Sequence, residues 1–182
     1  MSLLSYTELV ELIEQGVIDA PIEHVNAASI DLTLGDEIMV KPYDLEWGYA
    51  VDLAAKENIK LKKLVIPDEG YELDSGEFIL ATTREWFDFT KRNDLSAEYK
   101  LKSSMARNGL SHLLAGWMDS GWSGNLTLEF HNVAHEPLLL RAGMKCGQAI
   151  FMKHAPVPAH ASYAVKGQYN QQSGVQASKG IR

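Results

Sequence analysis

The sequence predicts an all-β domain, a barrel or sandwich, with a short N-terminal helix and an extended C-terminal arm. Three observations carry this expectation. One capped amphipathic stretch stands at the start, six short strand-like segments follow between turn signals, and the composition changes after Lys153. At 182 residues and 46% hydrophobic, the chain can bury one substantial core. A single domain is expected, with its core over 1–153 and its arm over 154–182.

The helix is read from Ser5 and Glu8, which have capping-box spacing, from the apolar residues Leu9, Val10, Leu12 and Ile13, and from Gly16 as a stop. The period then changes to two. In ASIDLTL, Ile30, Leu32 and Leu34 share one face while Ser29, Asp31 and Thr33 share the other, predicting a strand with one buried side. EIMVK, EFILATT, LTLEFHN, PLLLR and QAIFMK are the further strand candidates, separated by turns such as DSGE, DSGWSGN and RAGMKCG. The acidic, poorly periodic stretch from Pro42 to Gly76 reads as a long excursion or an extra hairpin. Beyond Lys153 the chain is rich in Ala, Gly, Gln, Ser and Pro and buries little by itself. That arm is expected to be disordered or to order against a ligand or a neighbouring subunit.

A formal charge of −7 argues against a general nucleic-acid binder. The charge is uneven, however. The span from His154 to Arg182 has no acid and holds Lys166, Lys179 and Arg182, and the span from Tyr99 to Met118 holds Lys100, Lys102 and Arg107. An acidic body with two basic segments suits a small anionic ligand. Cys146 is the only cysteine, so no intrachain disulfide can form. With no secretory pattern at the start and no apolar run of membrane-spanning length, a cytoplasmic protein is expected.

Chemistry concentrates in two places. In LTLEFHN, Leu126, Leu128 and Phe130 point one way, so Thr127, Glu129 and His131 point the other. Taken alone, that strand reads as one with an ordinary solvent-facing glutamate. In KSSMARNGL, the hydroxyls of Ser103 and Ser104, with Lys102 before them and Arg107 after, form donors suited to phosphate oxygens, although P-loop spacing is absent. A zinc deaminase signature needs HxE and PCxxC, which one cysteine cannot supply. His131 and His135 lie at a strand end rather than on a helix, so no metal site is expected.

These segments resemble the trimeric dCTP deaminase family, relatives of the dUTPases. VNAASIDLTLG resembles the family's N-terminal strand motif and KSSMARNGL its SSxAR segment. AGWMDSGWSGNLTLEFHN resembles its catalytic turn and strand, AGMKCGQAIF the strand after it, and QYNQQSGVQAS its nucleotide-binding tail. Only residues 42 to 100 match poorly. The resemblance implies a distorted jelly-roll-like barrel of the dUTPase type, assembled as a homotrimer with active sites between subunits. It implies metal-independent deamination of dCTP, with Mg²⁺ carried by the triphosphate. Glu129 takes the position of the catalytic base. Ser103, Ser104 and Arg107 match residues around the nucleotide and catalytic centre, and Lys102, Ala106 and Thr127 fall within the matched motifs. Asp119 matches an acid near the deoxyribose and base, while Tyr163, Lys166, Gln168 and Gln172 belong to the closing tail.

Several departures bear on function. The family often has arginine where Lys102 stands, and a basic residue where Gln168 stands, a charge Lys166 would supply from nearby. LSHLLAG is one residue shorter than the usual form, with Leu114 at a common threonine position, which puts inhibition by dTTP in doubt. The first expectation for the product is dUTP, because YNQQ is closer to the tail of monofunctional members than the glycine-containing YQGQ form. The alternatives are a bifunctional enzyme giving dUMP and pyrophosphate, and a catalytically silent nucleotide binder on the same fold.

Overall fold

In the computed structural model, which describes residues 2–42 and 50–181, an edge strand, β1 (Ser2–Leu3), precedes the predicted helix, α1 (Tyr6–Glu14). The Ser5 amide and hydroxyl both donate to Oε2 of Glu8, at 2.8 and 2.7 Å. The backbone bond, with the hydroxyl bond beside it, holds the Glu8 carboxyl below its ordinary range. Leu9 and Leu12 are buried, and Gly16 ends the helix at a φ of +66°, a conformation that favours glycine.

The strands follow as β2 (Ile30–Thr33), β3 (Glu37–Val40), β4 (Lys62–Val65), β5 (Tyr71–Leu73), β6 (Phe78–Asp88) and β7 (Leu95–Leu101). A one-turn helix, α2 (Ser103–Ala106), leads to β8 (Leu110–His112), β9 (Trp117–Met118), β10 (Ser123–Asn132), β11 (Leu138–Leu140) and β12 (Lys145–Lys153), and α3 (Tyr163–Lys166) lies in the arm. One five-stranded sheet runs β1-β12-β7-β9 with β2 also on β12, the other runs β4-β3-β6-β10-β8, and β5 pairs with β11 apart from both. A Leu34–Thr83 bridge joins the large sheets at one point. The fold is mostly β, as expected, but neither sheet closes on itself. The edge strands β8 and β9 are too short to pair onward, so the predicted barrel is an open pair of sheets around one core. At the centre of that core Phe87 packs on Phe89, Trp122 and Phe151, with centroids 5.9 to 6.4 Å apart.

Two expectations are corrected in detail. The stretch from Pro42 to Gly76 forms no hairpin of its own among the described residues: its strand β4 returns against the preceding β3, with Glu37 opposite Val65, and its strand β5 pairs with β11, while residues 43–49 lie outside the described residues. Strand β2 is buried on both faces. Asp31, only 5% exposed, accepts from Lys102 Nζ at 2.6 Å, Asn26 Nδ2 at 2.9 Å and Lys145 Nζ at 3.0 Å. On the same face the Thr33 amide and hydroxyl donate to the buried Glu85 carboxylate. Polar residues alternating with apolar ones thus mark an interior ionic cluster here, because their partners arrive from distant strands.

Burial alone would push the Asp31 carboxyl up. The bonds from Lys102, Lys145 and Asn26 outweigh it and hold the group below the usual range. Asp31→Ala is expected to cost about 2 kcal/mol, less than for a fully buried pair because both lysines remain partly in water. A lower urea midpoint would register the loss, and an unchanged midpoint would show that the cluster contributes nothing. Because the folded-state pKa is depressed, the stabilisation is present above the unfolded value. It is lost as the pH falls below about 4, where wild type and variant should converge.

Candidate active site

Strand β10 alternates as the sequence predicts. Leu126, Leu128 and Phe130 are buried, while Thr127, Glu129 and His131 are half-buried on the other face. That face looks into a cavity of about 510 Å³ rather than into open solvent. Asp119, Thr127, Glu129, Tyr163 and Gln172, all predicted site residues, line it together. Its apolar wall was not predicted. Phe78 and Leu80 come from β6, where Leu80 is the direct partner of Glu129, and Leu53, Ile59 and Leu61 come from the excursion that follows β3.

Asp119 is held by a neighbour that sequence reasoning missed: Trp117 Nε1 donates to its Oδ1 at 2.8 Å. One carboxylate oxygen is thereby fixed and both residues line the cavity. The i, i+2 spacing of Trp and Asp in GWMDSG was the signal available for this contact. His112 was missed as well. It sits at the end of β8, with Phe130 of β10 as its register partner, and its Nε2 stands 3.4 Å from Glu129 Oε2.

The arm, expected to be disordered or to order against a ligand or a neighbouring subunit, makes ordered contacts with its own chain. It lies on the strand that bears Glu129. Gln172 forms a parallel bridge with Gly124, and its Nε2 donates to the Asn125 carbonyl at 2.5 Å and the Thr127 hydroxyl at 3.0 Å. Trp122 Nε1 donates to the Tyr169 carbonyl at 2.7 Å, and the Gln176 amide donates to Thr127 at 3.2 Å. Gly124 has a φ of +145°, and a Cβ there would lie 2.6 Å from the Gln172 carbonyl oxygen, so only glycine permits the approach. Unsatisfied polar groups along β10 thus anchor a segment with little apolar surface of its own.

The basic segment is placed elsewhere. Ser103, Ser104, Ala106 and Arg107 are exposed on and just after α2, and none lines the cavity of their own chain. Lys102 has its ammonium on Asp31. Gln168 accepts a bond from Lys179 through its carbonyl and is also off the cavity wall. Lys166 borders a second cavity of about 450 Å³, which shares Asp119 and Tyr163 with the first. Burial pushes the Cys146 thiol up to about 12 and so keeps it protonated inside the core, and it does not line the cavity.

Comparison with known proteins gives a consistent picture. The dCTP deaminase-like family model matches residues 3–154. The chain is 36% identical over 173 residues to the "dCTP deaminase, dUMP-forming" of Persephonella marina, covering 94% of this chain and 92% of that protein. It is 32% identical over 178 residues to the protein of the same name from Methanopyrus kandleri, covering 90% and 88%. Among solved structures, the 2'-deoxycytidine 5'-triphosphate deaminase from Agrobacterium tumefaciens shares the fold, with a TM-score of 0.64 at 20% identity over 82% of this chain and 47% of that one.

Proposed function

Since the chain belongs to the dCTP deaminase-like family, we propose that it hydrolyses the 4-amino group of dCTP and carries the product on to dUMP and pyrophosphate. The observation that carries the first step is Glu129, a carboxylate aimed into a largely apolar cavity that it shares with Asp119 and the arm. For the second step, support comes from relatives matching nearly end to end that are named for forming dUMP. That favours the bifunctional alternative over the dUTP product expected from YNQQ, because a single glycine difference is weaker grounds than similarity along the whole chain.

In this reading Glu129 takes a proton from water as its oxygen attacks C4 and delivers that proton to the ring nitrogen N3. The added hydroxyl then gives its proton, through the same carboxylate, to the amino group. The C4–N bond breaks, ammonia leaves, and a uracil ring remains. A second water attacks the α-phosphorus and expels pyrophosphate. Asp119, with one oxygen fixed by Trp117, is placed to orient that water or the sugar hydroxyl. Magnesium enters as part of the substrate, on the triphosphate oxygens. Among the described residues no Cys or His lines the cavity, a donor set unsuited to zinc, and no step is routed through one.

The exposed donors of α2 fit the phosphates of a nucleotide held by another copy of the chain, as a homotrimer with shared sites requires. Leu113, Leu114 and Val133, 51%, 89% and 62% exposed around β8, support a covering subunit. Chromatography of early time points with dCTP and Mg²⁺ tests the reading. Appearance of dUMP and pyrophosphate supports it. Accumulating dUTP that is not consumed would return the enzyme to the monofunctional class, and unconverted dCTP would refute the proposal.

A further inference from the structure

His112 and Glu129 turn two buried polar atoms toward each other. His112 Nε2 and Glu129 Oε2 are 3.4 Å apart, and among the described residues neither has a hydrogen-bond partner. The separation is longer than a well-formed hydrogen bond. It is also too short for two bare acceptors in a dry gap, where an unprotonated nitrogen beside an ionised carboxylate would bring lone pair against lone pair. A proton on Nε2 resolves the conflict, and a contraction of a few tenths of an ångström turns the contact into a hydrogen bond.

The ring has little freedom to seek another partner. Its side chain is 4% exposed, and its centroid lies 4.5 Å from the Tyr99 ring and 6.4 Å from the Phe130 ring. Its backbone is fixed by the pairing of β8 with β10. The ring does not line the cavity, so any influence on substrate passes through Glu129. We infer that His112 is a positioning residue: its Nε2–H holds one oxygen of Glu129 inward and leaves the other aimed at the water and the cytosine ring. This inference rests on the deaminase reading of Glu129.

The test uses the full-length protein and two variants. His112→Phe keeps the ring packed between Tyr99 and Phe130 but lacks the donor, whereas His112→Gln keeps an N–H within reach. With dCTP, His112→Phe is expected to lower kcat about thirtyfold while KM stays within about twofold, the scale of one lost bond to a charged group. His112→Gln should recover most of that loss. A Phe variant within about twofold of wild-type kcat would overturn the assignment. So would Phe and Gln variants that are equally slow and equally lowered in Tm, since that pattern describes packing alone. A long-range ¹H–¹⁵N spectrum of the imidazole supplies a readout that needs no turnover. The Nε2-protonated form is expected, with its nitrogen signal moving in Glu129→Gln. The other tautomer, or a signal indifferent to that substitution, sinks the contact. Wild-type protein that leaves dCTP unchanged would instead sink the deaminase reading, and the spectrum would still decide the contact.

Discussion

Glu129→Gln is expected to lower kcat on dCTP by about a thousandfold, with fold and KM near those of the wild type. The substitution preserves size and shape on a strand where Leu128 and Phe130, on the opposite face, carry the packing. It removes the only function the proposed mechanism asks of the residue, accepting a proton and returning it. The other carboxylate in the cavity, Asp119, is tied to Trp117 and lies in the turn before the strand, so no neighbour replaces the lost base. Steady-state rates beside a thermal melt would check this. A variant keeping more than a tenth of wild-type turnover would mean that Glu129 is not the base.

Removing residues from Ser162 onward is expected to raise KM for dCTP by tens of fold, with Tm within a few degrees of the full chain. The arm meets the core through polar contacts: Gln172 on Asn125 and Thr127, Asn170 on the Ser123 amide, and Tyr169 on the Trp122 indole. Among the described residues of the arm, Val175 is the only fully buried apolar one and Tyr163 packs partly buried against the core, so the core keeps most of its hydrophobic burial without the arm. The truncated protein should also show Trp122 fluorescence shifted toward the red as its indole loses cover. An unchanged KM would show that the arm takes no part in holding nucleotide, whatever its effect on the tryptophan.

Local patterns that report local structure were readable directly. Ser5, Glu8 and Gly16 framed the helix, and alternation in LTLEFHN placed Glu129 on the face that turned out to be the cavity wall. Strand β7 carried the same signal and was overlooked: Leu95, Ala97 and Tyr99 are buried at a period of two, but the charges of Glu98 and Lys100 disguise it. Pairings between distant segments were not legible. Nothing in IDLT says that Asp31 will meet two lysines, 71 and 114 residues away. His112 became visible only through the register of β8 on β10, whereas the histidines at 131 and 135 drew attention by their spacing alone. In the proposed homotrimer, where Ser103 and Arg107 act is likewise a matter of assembly, which periodicity within one chain does not encode.

The parallel bridge between Gln172 and Gly124 has a kinetic meaning. If this bridge acts as a latch that must open for nucleotide to enter, the association rate constant is the diffusional value multiplied by the open fraction. If the latch contributes ~2.7 kcal/mol, about one molecule in a hundred is receptive at any moment. The same bonds reform behind a captured substrate and lengthen its stay. On the proposed function, full-length protein is expected to bind nucleotide slowly and release it slowly, and the truncated form should capture it faster and release it faster still. Such gating would suit the proposed succession of two hydrolyses, because the uracil nucleotide left by the first would have to wait inside for the second.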